Sequence, residues 1–177
     1  IEPNYDPAIG FVERAGYHQI TQNLEFGPRP KKNPYVRQYL TQFYLQSFMD
    51  MNYNVTEQEL RFTPIELVMQ SGDTGQLRIG RWHEHLEKDF VISKGLTLPR
   101  GGEYFFNRYE FIFATANRRR VSAKSTTELG TFYTGHRRDF TTTVNLRVRR
   151  GLSAALTTQF NRIELAEGNF STKILRA

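Results

Sequence analysis

The sequence has no cysteine. Disulfides, thiolate metal sites and cysteine nucleophiles are therefore excluded. No apolar run approaches the roughly 20 residues that a membrane-spanning helix needs. There is no helical periodicity of any length, no internal repeat and no linker between domains. Phosphate loops, G-x-G-x-x-G turns and G-x-S-x-G nucleophile elbows are missing as well. Apolar residues are also scarce. They make up 38% of the chain, and the mean hydropathy of -0.57 is low for a packed soluble core.

What the chain does have is aromatic rings, 14 Phe and 9 Tyr among 177 residues. A disordered chain lacks such aromatics. Many rings with low mean hydropathy fit strands that are apolar on one face and wet on the other. A soluble sandwich has similar strands, so composition does not decide between the two. The length suits one domain spanning 1–177. The first residue is not Met, and residues 170–177 still read as a strand. The sequence is therefore read as a stretch of a longer protein. The net charge is +6. Basic clusters occur at Arg118, Arg119 and Arg120, at Arg137 and Arg138, and at Arg147, Arg149 and Arg150. They are compatible with a polyanion such as lipopolysaccharide, or with solvated turns and one polar strand face. Nucleic acid is not expected as a partner.

Period two dominates the pattern. Phe140, Thr142, Val144, Leu146 and Val148 form one face of a strand, with Thr141, Thr143, Asn145, Arg147 and Arg149 on the other. Leu152 to Phe160 alternates in the same way. Phe105, Tyr109, Phe111 and Phe113 oppose Arg108 and Glu110, and Lys124 and Glu128 sit on the polar side of the segment 121–133. Thr, Val, Phe and Tyr are strand formers. Further strands are placed near 17–26, 35–51, 58–70 and 76–86. Pro64 marks a bulge or an edge position in the third of these.

The pattern predicts an all-β fold, an antiparallel up-and-down meander of about nine long strands. Soluble strands average about five or six residues, whereas a tilted membrane strand needs about 9–11. Short turns at 71–75, near 117–120 and at 149–151 alternate with loops at 52–57, 87–103, 133–139 and 166–169. Alternation of this kind matches an outer-membrane barrel with short periplasmic turns and longer outer loops. The segment 27–34 is a longer inner connection that breaks the rule. The expectation is part or all of a β-barrel.

Four segments carry a resemblance. Asn4-Tyr5-Asp6-Pro7-Ala8-Ile9-Gly10-Phe11-Val12-Glu13-Arg14 resembles a motif in a bacterial family of unknown function. So do Leu98-Pro99-Arg100-Gly101-Gly102-Glu103-Tyr104-Phe105-Phe106-Asn107-Arg108-Tyr109, Gly130-Thr131-Phe132-Tyr133-Thr134-Gly135-His136-Arg137-Arg138, and Glu167-Gly168-Asn169-Phe170-Ser171-Thr172. That family pairs an N-terminal carbohydrate-binding-like module with a C-terminal domain that looks like an outer-membrane barrel. The resemblance implies a location and an architecture, with this chain as part of the barrel. It implies no activity.

Candidate chemistry is sparse, and no cofactor is expected. His83 and His85 share one strand face, with Glu87 two residues on, a spacing that can hold zinc. They also suit a polar lumen or an aqueous end. Asp73-Thr74-Gly75 spells the aspartic-protease triplet, but that chemistry needs two such carboxylates, and a Gly-flanked turn explains a single copy. The sequons at Asn54 and Asn169 matter only in a eukaryotic secretory protein. The candidate lumen-facing set is Arg108, Glu110, Lys124, Glu128, Asn145, Arg147 and Arg149. The candidate membrane-facing or girdle set is Trp82, Phe105, Tyr109, Phe111, Phe113, Tyr133 and Phe140. The leading expectation is a non-enzymatic anchor, pore or scaffold in the bacterial outer membrane. Its partners are lipid or lipopolysaccharide and the other subunits of a membrane complex. A soluble barrel or sandwich that binds lipid or saccharide is the alternative. A glycan-acting hydrolase, with Glu110 and Glu128 converging across a lumen, is the third.

Overall fold

Thr, Val and aromatic residues in strict alternation cannot settle as helices, because a 3.6-residue period would scatter their apolar side chains around the axis. The structure, a computed structural model, describes residues 16–93, 96–149 and 151–177, and every regular element among them is a strand. They are β1 His18–Phe26, β2 Val36–Met49, β3 Val55–Met69, β4 Thr74–His85, β5 Phe90–Ser93, β6 Leu96–Leu98, β7 Glu103–Ala114, β8 Val121–Phe132, β9 Gly135–Arg149, β10 Leu152–Leu165 and β11 Gly168–Arg176. Nine of them form one antiparallel sheet in the order β1-β2-β3-β4-β7-β8-β9-β10-β11. β5 and β6 form a separate hairpin. The segment Asn4–Arg14 and Arg150 lie outside the described residues.

The meander matches the sequence reading, but the sheet is open. No pairing among the described residues joins β1 to β11. The nine strands alternate in direction, so β1 and β11 run the same way.

Pro64 sits inside the sheet rather than at an edge. The pairing of β3 shifts between Phe62 and Ile65 against β4, and between Leu40 and Gln42 on the β2 side. A residue without an N–H cannot complete a ladder, so the strand bulges there. The freed Pro64 carbonyl accepts a hydrogen bond from Thr41 Oγ1 at 3.1 Å.

Two expected boundaries move. Asp50 and Met51, read as the end of the second strand, lie in a turn. There the Asp50 carboxylate accepts from the Asn52 and Asn54 amides at 2.8 and 2.9 Å, an Asx-type closure that stops β2. The expected loop at 133–139 shrinks to a tight turn, because β9 already starts at Gly135. The turn needs Tyr133 at φ 48°. A Cβ on Gly135 would lie 1.8 Å from the Glu164 carbonyl oxygen, so only glycine allows the strands this close. Of the four connections at this end of the sheet, only 86–102 is long.

Directly opposed residues of an antiparallel pair share a face. The register therefore sorts every strand residue. One row runs Arg78, Glu110, Glu128, Asp139, Asn161. The adjacent row on the other face runs Leu77, Phe111, Thr127, Phe140, Phe160. The sheet thus has a charged face and an aromatic face. The aromatic face is the open one: Phe105 and Phe113 are each 55% exposed, while Phe106 on the charged face is 4% exposed.

Candidate functional site: the charged face

Alternation on β7 delivers Arg108 and Glu110 to one side of the sheet. Register then brings each a partner of opposite charge. Arg78 Nη1 lies 2.5 Å from Glu110 Oε2, and Arg108 Nη1 lies 2.8 Å from Glu128 Oε1. Arg137 pairs with Asp139 on the next strand. Glu110 and Glu128 stand directly opposite one another. Side by side, two carboxylates repel. Their separate guanidiniums relieve that repulsion, so the row is a neutralised ladder. It presents no pair of unpaired carboxylates to a substrate.

Arg108 is the centre of this face. Its guanidinium lies 5.0, 5.1 and 5.2 Å from the ring centroids of Trp82, Phe106 and Phe132. Trp82 can reach it because Gly80 has no side chain. A Cβ there would sit 2.0 Å from the indole ring. Trp82 pairs with Phe106 and so lies on the charged face. This corrects its grouping with the girdle aromatics.

Tyr133 is corrected in the same way. Its positive φ lifts it out of the strand alternation. It packs against Tyr104, Phe106 and Phe132, and its hydroxyl donates to Glu84 Oε2 at 2.9 Å. Burial, and then the Glu84 carboxylate, pushes that hydroxyl above its usual range, so it stays protonated and donating. Around it lies a small apolar cluster of Ile163, Leu165, Phe170 and Phe132, onto which Ile92 of the β5–β6 hairpin packs. The hairpin leaves the sheet between β4 and β7 yet reaches β10. It therefore folds across the charged face at that end.

The remaining candidates fall into place by register. Lys124, Asn145 and Arg147 share the charged face with Arg108, Glu110 and Glu128, and alternation adds Arg149. Phe105, Tyr109, Phe111, Phe113 and Phe140 occupy the opposite face. His83 and His85 lie on that face too, near its polar end. The carboxylate that reaches both is Glu103 on the neighbouring strand, at 3.2 and 3.4 Å, not Glu87. Among the described residues, no cluster of three or more His, Asp or Glu side chains has metal-holding geometry.

At the opposite end, the turns at 70–73 and 115–120 are tied together. Asp73 accepts from the Ala116 amide at 2.8 Å, from Ser71 Oγ at 2.8 Å and from Arg119 at 2.6 Å. The aspartate of the protease-like triplet is thus a structural clasp. Those bonds, the Ala116 amide first, hold its carboxyl below the usual aspartate range. A depressed folded-state value stabilises the fold above the unfolded value, and that stabilisation is lost as pH falls through the folded one. The clasp therefore holds at neutral pH and opens only below pH 3.8. A carbon-detected NMR titration of Asp73 should give a midpoint below that value. A midpoint at or above it contradicts the clasp.

No protein-family model, curated protein or solved structure matches this chain. The functional reading therefore rests on geometry.

Proposed function

We propose that this chain is a segment of a bacterial outer-membrane β-barrel that acts as a non-enzymatic anchor, pore or scaffold. One observation carries the reading. The face richest in exposed apolar rings is uncovered, while the central row of the other face pairs and shelters its charges, Arg78 with Glu110, Arg108 with Glu128 and Arg137 with Asp139. The side chains of Arg108 and Glu128 are 16% and 23% exposed, whereas Phe111 as a whole residue is 51% exposed. Water drives the opposite arrangement, because exposing apolar area costs about 25 cal/mol per Å². Lipid reverses that preference. Strand dimensions agree. From Phe140 to Val148 the aromatic face of β9 rises about 27 Å at about 3.4 Å per residue. Tilted by about 40°, it covers about 21 Å of the roughly 25 Å apolar band of an outer-membrane barrel.

The charged face then lines a wet lumen, with the β5–β6 hairpin folded across one mouth. Its partners are outer-membrane lipid or lipopolysaccharide on the aromatic face, and other subunits of a membrane complex at the edges. Closing the ring with antiparallel pairs takes at least one strand beyond the nine, because β1 and β11 run the same way. The competing reading, a soluble barrel or sandwich that binds lipid or saccharide, needs a second layer over the aromatic face. None of the described residues supplies one. Hydrolysis of a glycan by Glu110 and Glu128 is disfavoured by the arginine held against each.

The test is fractionation of the expressed parent protein. Flotation with the outer membrane, as a heat-modifiable β-rich band, is the expected result. A protein that stays in solution without detergent sinks the proposal.

A further inference from the structure

The basic residues at the turn end do more than cap turns. Arg118 donates to the Ser71 carbonyl at 2.8 Å, Arg120 to the Val148 carbonyl at 3.4 Å and Arg147 to the Asn117 carbonyl at 3.1 Å. A carbonyl satisfies a donor and leaves the positive charge in place. Among the described residues Asp73 offsets Arg119 alone.

A cleft of about 410 Å³ opens among these groups on the charged face. Among the described residues its polar lining is Asn117, Arg119, Ser122, Asn145, Arg147 and Ser153, with no carboxylate. Ser122 is 5% exposed. Its hydroxyl finds no hydrogen-bond partner among the described residues, and neither does the side-chain amide of Asn145 across the β8–β9 pair. The hydroxyl is open to the cleft rather than enclosed, so a group bound there can complete its hydrogen bonding. Hydroxyl, amide and guanidinium donors converging where no acid competes suit a multivalent oxyanion.

We propose that this cleft binds a phosphate-class oxyanion, with Arg147 supplying the uncompensated charge and Ser122 and Asn145 orienting its oxygens. The proposal goes beyond the barrel reading and does not depend on it, because the cleft exists whether or not the aromatic face meets lipid. The anion has two sources. One is a soluble phosphorylated solute, and the other is a lipid headgroup at the turn end of the sheet.

Inorganic pyrophosphate titrated into the full chain at low ionic strength, followed by calorimetry, tests the first source. Vesicles of phosphatidylcholine with and without phosphatidylglycerol test the second. Arg147→Gln should weaken binding about tenfold, the loss of one charge-assisted bond. Ser122→Ala should weaken it about threefold. Both variants should keep the strand signal in circular dichroism. Saturable pyrophosphate binding weakened by these factors in the variants assigns a soluble anion. Selective capture of the anionic vesicles, weakened in the same variants, assigns a headgroup. No saturable binding to either, or binding indifferent to both substitutions, overturns the site. The pyrophosphate arm reads equally in detergent or in plain buffer, so failure of the barrel reading leaves it interpretable.

Discussion

Replacing Arg108 by Met lowers the unfolding free energy by about 2–3 kcal/mol, somewhat less than the about 3–5 kcal/mol for breaking a fully buried pair. Methionine keeps the apolar stem but not the guanidinium that lies over the rings, so the loss combines the charge with its ring contacts. Two terms add. Glu128 is left sheltered with its partner gone, and the cation over Trp82, Phe106 and Phe132 is removed. Urea unfolding in detergent micelles, followed by the fluorescence of the single tryptophan, measures it. A double-mutant cycle with Glu128→Gln separates the terms. The double variant should lose less than the sum of the singles, because removing both members leaves no orphaned charge. Strict additivity, or an Arg108→Met variant as stable as the parent, contradicts the central role of this arginine.

The second large effect has opposite sizes under the two architectures. Phe111→Arg puts a charge in the middle of the aromatic face. In a bilayer this costs about 2–4 kcal/mol near the midplane. On a water-facing surface the same exchange stays within about 0.5 kcal/mol. The folding equilibrium constant in liposomes, from a urea titration read by the heat-modifiable band, should therefore fall by roughly a hundredfold at about 3 kcal/mol. Folding in lipid that matches the parent places this face in water.

Much of this was legible in the sequence, for one reason. A strand that is wet on one side and apolar on the other writes its own faces as period two. Phe105 to Phe113 and Phe140 to Val148 show it plainly, and the structure starts or ends most strands within a few residues of the expected positions. Pro64 announced its bulge because the missing N–H acts locally.

What was missed depended on contacts between distant residues. The β5–β6 hairpin hides in 87–103 because its strands are too short to show alternation. It is held by packing onto β10, far away in sequence. Parity puts Tyr133 on the aromatic face, and the positive φ at that residue breaks the alternation that parity relies on. Trp82 is different. Its parity with Gln76, Arg78 and Glu84 already places it on the polar side. Arg78, Arg137 and Asp139 were readable by the same parity. Their pairing with the acids was not, because register is set by strands that meet only in the fold.

The face that meets lipid is the central claim, and the lone tryptophan reports on it directly. The full chain, folded into liposomes whose acyl chains carry bromine, can be compared with a variant that moves the indole across the sheet, Trp82→Phe with Phe111→Trp. Brominated chains quench only an indole they touch. The account predicts strong quenching of the variant and almost none of the parent, whose Trp82 lies beneath Arg108 on the charged face. Strong quenching of the parent with little of the variant would mean that the charged face meets the membrane, and the architecture proposed here would be inside out.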